Sequence, residues 1–418
     1  MRGMHMTKKP GAAAIFAIAL IPFIMVLGNS MLVPILPTMK GKLHLSQFQV
    51  SLIITVFSLA AGLIIPLVGY LSDRFGRKRI IVPSLILYGF GGLVSGIAAW
   101  QLKDAYWLIL GGRIIQGIGA AGTAPIAMAL VGDQFRGGQE SKVLGIIESS
   151  NGMGKILSPI FGSLLAMITW FAVFFAFPIL TFLSALFFWI VIKEKKKRKA
   201  KPLPQYLDAL KRIFISEGRW LIPAFLVGAT GLFILFGVLF YLSDVLEDRF
   251  QIDGLIKGSI LAVPLMGMVT TSYITGGKIK QNKTLIRKIL YIGLFLLTLS
   301  TGAVIFFQTL SVMIALLTSA SIGIGLLLPC LNTLITGAVE KSERGMITSL
   351  YGSVRFLGVA FGPPVFGWLM GISHLVLFGS ISGLSLLTLL LSMWLIRPGK
   401  REGEGKPGSL FKKWEPAS

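Results

Sequence analysis

Residues 69–79 read Gly69-Tyr70-Leu71-Ser72-Asp73-Arg74-Phe75-Gly76-Arg77-Lys78-Arg79, a tight segment combining one acid, two glycines and four cations. It interrupts two apolar runs, Phe48 to Leu71 and Ile80 to Trp100. Each has the length, about 20 residues, that an α-helix needs to cross a hydrocarbon core. A short cationic turn between two such runs reads as a pair of membrane helices joined on the cytoplasmic side.

Working outward, ten more runs follow the same pattern: Ala12 to Met39, Tyr106 to Val131, Val143 to Ile168, Trp170 to Ile192, Trp220 to Leu242, Gly258 to Ile274, Ile289 to Phe307, Leu310 to Val339, Met346 to Met370 and Leu375 to Ile396. Across the 418 residues, 54% of side chains are hydrophobic and only 14% are charged. Soluble domains carry about 25% charged residues, so a soluble fold is excluded. The first run follows Arg2, Lys8 and Lys9 but ends in Pro34 and Pro37, with no small-residue cleavage site. It is expected to be a retained helix and not a signal peptide.

The formal net charge is +23. With both termini in the cytoplasm, roughly 32 of the 40 Lys and Arg residues fall in cytoplasmic segments, about five outside and about three within the membrane. The positive-inside rule therefore accounts for the charge without nucleic acid. Cys330 is the single cysteine, which excludes an intrachain disulfide. His5, His44 and His374 lie apart without metal-ligand spacing, so neither a metal site nor a cofactor is expected.

The longest internal polar stretch, residues 193–219, divides the chain into a first bundle of six helices over 1–192 and a second over 220–396. It opens on Lys193, Lys195, Lys196, Lys197, Arg198 and Lys199; then Leu203, Tyr206, Leu207, Leu210, Ile213 and Phe214 recur at helical spacing. The spacing predicts an amphipathic helix on the inner leaflet, favoured by anionic lipids; a charged tether is the alternative. Residues 397–418 read as a disordered cytoplasmic tail. At an offset of 204 residues, Gly119 matches Gly323, Pro125 matches Pro329, Gly154 matches Gly358 and Pro159 matches Pro363. Glycine and proline are placed for backbone reasons, so these coincidences predict a parallel structural repeat.

The segment from Gly69 to Arg79 resembles the loop signature of the major facilitator superfamily. The resemblance implies an all-α membrane protein of that fold, with 12 helices in two six-helix halves related by a pseudo-two-fold axis. It also implies a cytoplasmic latch of Gly69, Asp73, Arg74, Gly76 and Arg77, with Asp73 facing the start of the eleventh helix or an arginine and Arg77 reaching Asp133. Arg113, Gln116, Gly117, Gly119, Ala120 and Ala121 resemble the second motif of the family. Gly145, Gly154, Ser158, Pro159, Gly162 and Ser163 have the spacing of its antiporter motif, with serine at two glycine positions. Together these are similar to twelve-helix bacterial drug/proton antiporters. The first helix departs from them: Gly28, Asn29 and Ser30 stand where many have an acid, and Asn29 cannot carry a proton.

Glu148 is the one carboxylate well inside a run, which makes it the candidate proton carrier. Burial disfavours an ionised carboxylate and a nearby cation favours it, so such a site loads and releases a proton as access alternates. Lys155 follows seven residues later, about 20° away around a helix and roughly 10 Å along it. A static ion pair between the two is the alternative. Arg355, one turn after Tyr351, adds a cation from the second half. Asn29, Arg113, Gln116, Asn151, Lys155, Tyr351 and Arg355 are expected to line a net-positive substrate cavity.

The leading expectation is proton-coupled export of hydrophobic or amphipathic small molecules by a monomer in the cell membrane. An anionic metabolite or a siderophore-like compound is the competing substrate class, because the interior is cationic. A primary pump is disfavoured, because Gly154-Lys155 is followed by Ile156 and not by the rest of a phosphate-binding loop. A membrane sensor lacks a soluble output domain, and no grouping of nucleophile, base and orienting residue suggests an enzyme.

Overall fold

The computed structural model describes residues 11–135, 138–194, 202–279, 283–337 and 344–396. The tail at 397–418 and the basic run from Lys195 to Lys199 lie outside them. The described chain is helical: α1 (Ala12–Ser30), a 3-10 turn (Val33–Ile35), α2 (Leu36–Lys42), α3 (Gln47–Phe75), α4 (Arg77–Gln101), α5 (Tyr106–Ala121), α6 (Ala124–Gln134), α7 (Gly138–Ile168), α8 (Ala172–Val191), α9 (Leu203–Asp248), α10 (Gly254–Ile279), α11 (Lys283–Ala303), α12 (Leu310–Gly337), α13 (Arg344–Met370) and α14 (His374–Leu395).

These make twelve spanning segments, because α1 and α2 form one and α5 and α6 another. Both breaks have a proline cause: Pro34, Pro37 and Pro125 occupy first-turn positions, where a missing N–H costs nothing. Among the described residues, eleven segments are apolar and long enough to cross a membrane on composition alone. The twelfth, α7, carries Lys142, Glu148, Asn151 and Lys155. Polar residues at that depth belong on a face turned to protein or water.

The repeat is visible in how helices touch. A Cβ on Gly119 would stand 2.7 Å from the Ser84 carbonyl of α4, and one on Gly323 would stand 2.7 Å from the Gly293 carbonyl of α11. Gly154 abuts the Phe23 carbonyl of α1, and Gly358 abuts the Ala229 carbonyl of α9. Matched glycines thus make the same backbone crossing in each half. The prolines agree less closely, since Pro329 lies within α12 whereas Pro125 starts α6.

The amphipathic stretch and the seventh span form one unbroken 46-residue helix, α9. Part of its apolar face packs on protein: Ala209 and Ile213 are buried in the core of the second half, and Tyr206 meets Tyr70 edge-on at 5.3 Å. Nothing in the periodicity distinguishes a face that covers lipid from one that covers protein.

Spans alternate in direction, so both described ends, Gly11 and Ile396, emerge on one face, here the terminal face. Toward the opposite, far face, one buried cluster joins the halves, with Met31, Phe57 and Phe174 from the first and Leu239, Met268 and Phe366 from the second. Toward the terminal face the core divides. Ile18, Leu85, Leu130 and Ile147 pack within the first half, and Trp220, Leu290, Leu331 and Ile347 within the second. The halves share one buried core toward the far face and keep separate cores toward the terminal one, where α3 still touches α13 and α9.

Cys330 is fully buried and, as the single cysteine, makes thiol labelling a built-in readout of unfolding. Gly358→Ala drives a methyl into the α9 backbone and is expected to cost about 1–3 kcal/mol, with earlier labelling on heating. Gly145→Ala, with open space around the new methyl, is expected to leave the transition unchanged. Equal transitions for the two variants would contradict the crossing.

Candidate functional site

At the terminal face, Gly76 has φ +104°, a conformation that side chains resist, and it turns α3 sharply into α4. Asp73 pairs with Arg77, and Arg77 Nε donates to Asp133 Oδ2 at 3.2 Å. Arg77 also donates to the Ser72 hydroxyl. Arg74 is exposed and lies over the ring of Phe75 at 5.6 Å. A Cβ on Gly69 would stand 2.9 Å from Ser349 Oγ of α13, so this glycine is where the halves meet at the terminal face. Asp73 is an arginine partner, and a further carboxylate, Glu194, accepts from the backbone N–H groups of Arg77 and Lys78 at the start of α4. Glu194 follows α8 after more than a hundred intervening residues, and no local signal marks it as a cap.

Arg113 is fully buried within the first half. Its Nε donates to the Ile53 carbonyl at 2.9 Å, Nη1 to the Gly28 carbonyl at 3.0 Å and to Gln116 Oε1 at 2.8 Å, and Nη2 to Asn29 Oδ1. Asn29 in turn donates to Ser58 Oγ at 2.7 Å, and the Phe57 ring lies 4.3 Å from the guanidinium. The Gly28 carbonyl is free to accept because α1 ends at Ser30 and the Leu32 N–H turns to Asn29 instead. Arg113, Asn29 and Gln116 therefore form a closed polar knot tying α1, α3 and α5, not an open cavity wall. All four of these acceptors are neutral.

A second group lies between the halves. On α7, Glu148 is exposed, whereas Asn151 and Lys155 are half-buried and nearly in line along the helix. Lys155 has Arg355 and Glu148 as electrostatic neighbours. Arg355, on α13, lies 5.4 Å over the Tyr351 ring, and its Nε is buried with no hydrogen-bond partner among the described residues. Tyr351 itself is buried against Gly228 and Phe225 and so backs the guanidinium. Among the described residues, no carboxylate stands within ion-pair distance of Lys155 or Arg355. The static Glu148–Lys155 pair is not formed.

The small residues on α7 are packing contacts. Gly154 and Gly162 abut α1 and the residue that follows it, Ser158 is buried and donates to the Lys155 carbonyl, and the Pro159 carbonyl faces Gly258 of α10 across the halves. Gly145 touches nothing within 4 Å.

At the far face the structure adds residues that sequence reasoning missed. Gln47 Nε2 donates to Asp244 Oδ1 at 3.0 Å, and Lys40 lies 3.7 Å from both Asp244 and Asp248. Ser243 donates to the Val33 carbonyl at 2.8 Å. These contacts join α2 and α3 of one half to α9 of the other, two hundred residues away, which no spacing rule reveals.

The family profile described as Major Facilitator Superfamily matches residues 18–306 and 283–417. The chain belongs to the major facilitator superfamily. It is 44% identical over 399 residues to the bacillibactin exporter of Bacillus subtilis, covering 95% of this chain and 99% of that one. It is 28% identical to the multidrug efflux protein YfmO of the same organism, over 85% of this chain and 86% of that one. Identity to the class C tetracycline resistance protein of Escherichia coli is 26%, over 80% of this chain and 84% of that one. In fold it resembles the human organic anion transporter MFSD10, with TM-score 0.70 and 20% identity over 92% of this chain and 100% of that one. The membrane exporters among these relatives and the shared fold identify a multi-pass exporter of this superfamily.

Asn29→Leu removes an acceptor from a fully buried guanidinium. The expected cost is about 1–3 kcal/mol, read as earlier Cys330 labelling on heating, whereas Asn29→Asp, which supplies a counter-charge, retains stability. An unchanged transition in Asn29→Leu would show that the knot carries little of the first half.

Proposed function

We propose that this chain exports a small anionic or zwitterionic molecule, with siderophore-like compounds as the leading class, in exchange for protons. The observation that carries this reading is that Lys155 and Arg355, one from each half, are electrostatic neighbours with no carboxylate in ion-pair distance among the described residues. Two like charges that feel one another between membrane helices repel, and an anion between them relieves that repulsion. The same anion bridges the halves, so its binding is coupled to their movement. The 44% identity to a siderophore exporter supports the same class, whereas the multidrug and tetracycline relatives are more distant. Export of lipophilic drugs is the second reading, favoured by the exposed apolar residues Met153 and Ile146 that flank the Glu148 to Lys155 stripe.

In this reading, Glu148 holds the proton. It sits on the stripe that leads to Lys155, about 15 Å from the start of α7 by helical rise. The basic terminal face is cytoplasmic, the halves move as bodies of 1–192 and 220–396, and one chain suffices. The Asp73, Arg77 and Asp133 cluster steadies the terminal end of the first half against α13.

Inverted vesicles with an imposed pH gradient test substrate class and coupling together. Uptake of a catecholate anion is expected to exceed that of ethidium, and Lys155→Ala with Arg355→Ala is expected to raise the anion KM about tenfold or more, as loss of charge-assisted contacts does. Ethidium uptake without anion uptake would overturn the substrate class. Glu148→Gln is expected to abolish uphill transport while substrate still binds; accumulation driven by ΔpH in that variant would place the proton elsewhere.

Arg77→Ala, at matched amounts of inserted protein, is expected to lower the transport rate by loosening α4 from Asp133. A wild-type rate would remove that role.

A further inference from the structure

Away from the central site, α9 and α14 bound a crevice of about 770 Å³ on the outside of the second half. Phe214, Ile222, Leu226, Leu384 and Leu391 give it apolar walls, and Arg219 is the one charged residue lining it. Gly218 leaves open space beside that arginine. Thr388 and Ser392 also line the crevice, but their hydroxyls donate to carbonyls of their own helix, at Leu384 and Thr388. What these two present to the crevice is therefore largely carbon.

The dimensions specify the occupant. Along α9 the lining runs from Phe214 to Thr230, and along α14 from Leu395 to Leu384. At 1.5 Å per residue, the α9 stretch is about 24 Å and the α14 stretch about 16 Å, the latter close to one half of the roughly 30 Å hydrocarbon core. The crevice thus extends from the terminal face to about the midplane, the depth of one leaflet. Its single cation lies in the terminal-facing part of the lining, between Phe214 and Ile222 on α9 and near the end of α14, where Trp394, a residue type that favours the headgroup interface, also lines it. Arg219 is exposed, with no carboxylate in ion-pair distance among the described residues, and the nearby Glu217 accepts from the Trp220 indole. Lys211 and Arg212, exposed two turns earlier on α9, give the approach the same sign.

We propose that this crevice is a binding site for one anionic phospholipid of the terminal-face leaflet, with an acyl chain between α9 and α14 and the headgroup phosphate on Arg219. A solute leaving the central site would need no cation at the headgroup level of the outer wall, and a peptide would need unpaired backbone partners that two intact helices do not offer. Because α9 also carries the connection between the halves, the lipid occupies the groove beside the element that links them.

Trp394 lies in the crevice and serves as its reporter. The full chain is reconstituted in bilayers doped with phosphatidylglycerol or phosphatidylcholine bearing brominated acyl chains. The Trp394 signal is taken as the difference between wild type and Trp394→Phe. Quenching by the brominated anionic lipid is expected at about fivefold lower mole fraction than by the zwitterionic one, the preference that one arginine near a headgroup confers. Arg219→Gln is expected to abolish that preference, while Lys211→Gln, outside the crevice, keeps it. Equal quenching by both lipids in wild type, or a preference that survives Arg219→Gln, would overturn the proposal. Cys330 labelling on heating selects preparations that are folded, so loss of preference is scored only in intact protein.

Discussion

In hydrocarbon, helices have no hydrophobic reason to associate, and cohesion has to come from close approach of backbones and from buried polar contacts. The glycine crossings supply the first. Gly119 against α4, Gly154 against α1, Gly323 against α11 and Gly358 against α9 bring backbones to distances that any side chain would forbid. Each half becomes a rigid body in this way, and because the two sets correspond, the bodies are alike. Across their interface the halves share glycine approaches, such as Gly258 to the Pro159 carbonyl, and an apolar cluster toward the far face, together with hydrogen bonds such as Thr55 to Ala360 and Ser243 to Val33 and longer charge contacts at the rim.

The charges inside the membrane sort themselves by the same division. Arg113 is spent inside the first half, where four neutral acceptors and the face of Phe57 satisfy it. Lys155 and Arg355 lie on the helices that face across the division, and they lack such a shell. A buried cation with a full set of partners stabilises structure; one without them is poised for a ligand. Counting intramembrane arginines and lysines together, as composition does, merges two different physical situations.

The far face has its own logic. Pro34 and Pro37 break the first span there, so that the Val33 carbonyl, released from a regular helix, accepts from Ser243 of the other half. Lys40, at the end of α2, then stands within 3.7 Å of Asp244 and Asp248. The departure of the first helix from regularity thus carries a contact that joins the halves at the far face, while the terminal side keeps two separate cores.

The sequence by itself determined the number of spans, their division into halves, the repeat and the basic surface, because each depends on local composition and periodicity along one chain. It also determined that residues 69–79 form a tight cationic turn between two spans, while the ion pairs of that turn came from the family resemblance. The amphipathic face of α9 was legible as a face, but not what it covers. Only the tertiary structure decided that Arg113 is enclosed by its own half and Arg355 is not, that Glu194 accepts at the start of α4, and that Lys40 answers Asp244. Those partners lie 84, 117 and some two hundred residues apart along the chain. Their meeting depends on how the glycine crossings set neighbouring helices in angle and depth, and a one-dimensional pattern carries no term for that geometry.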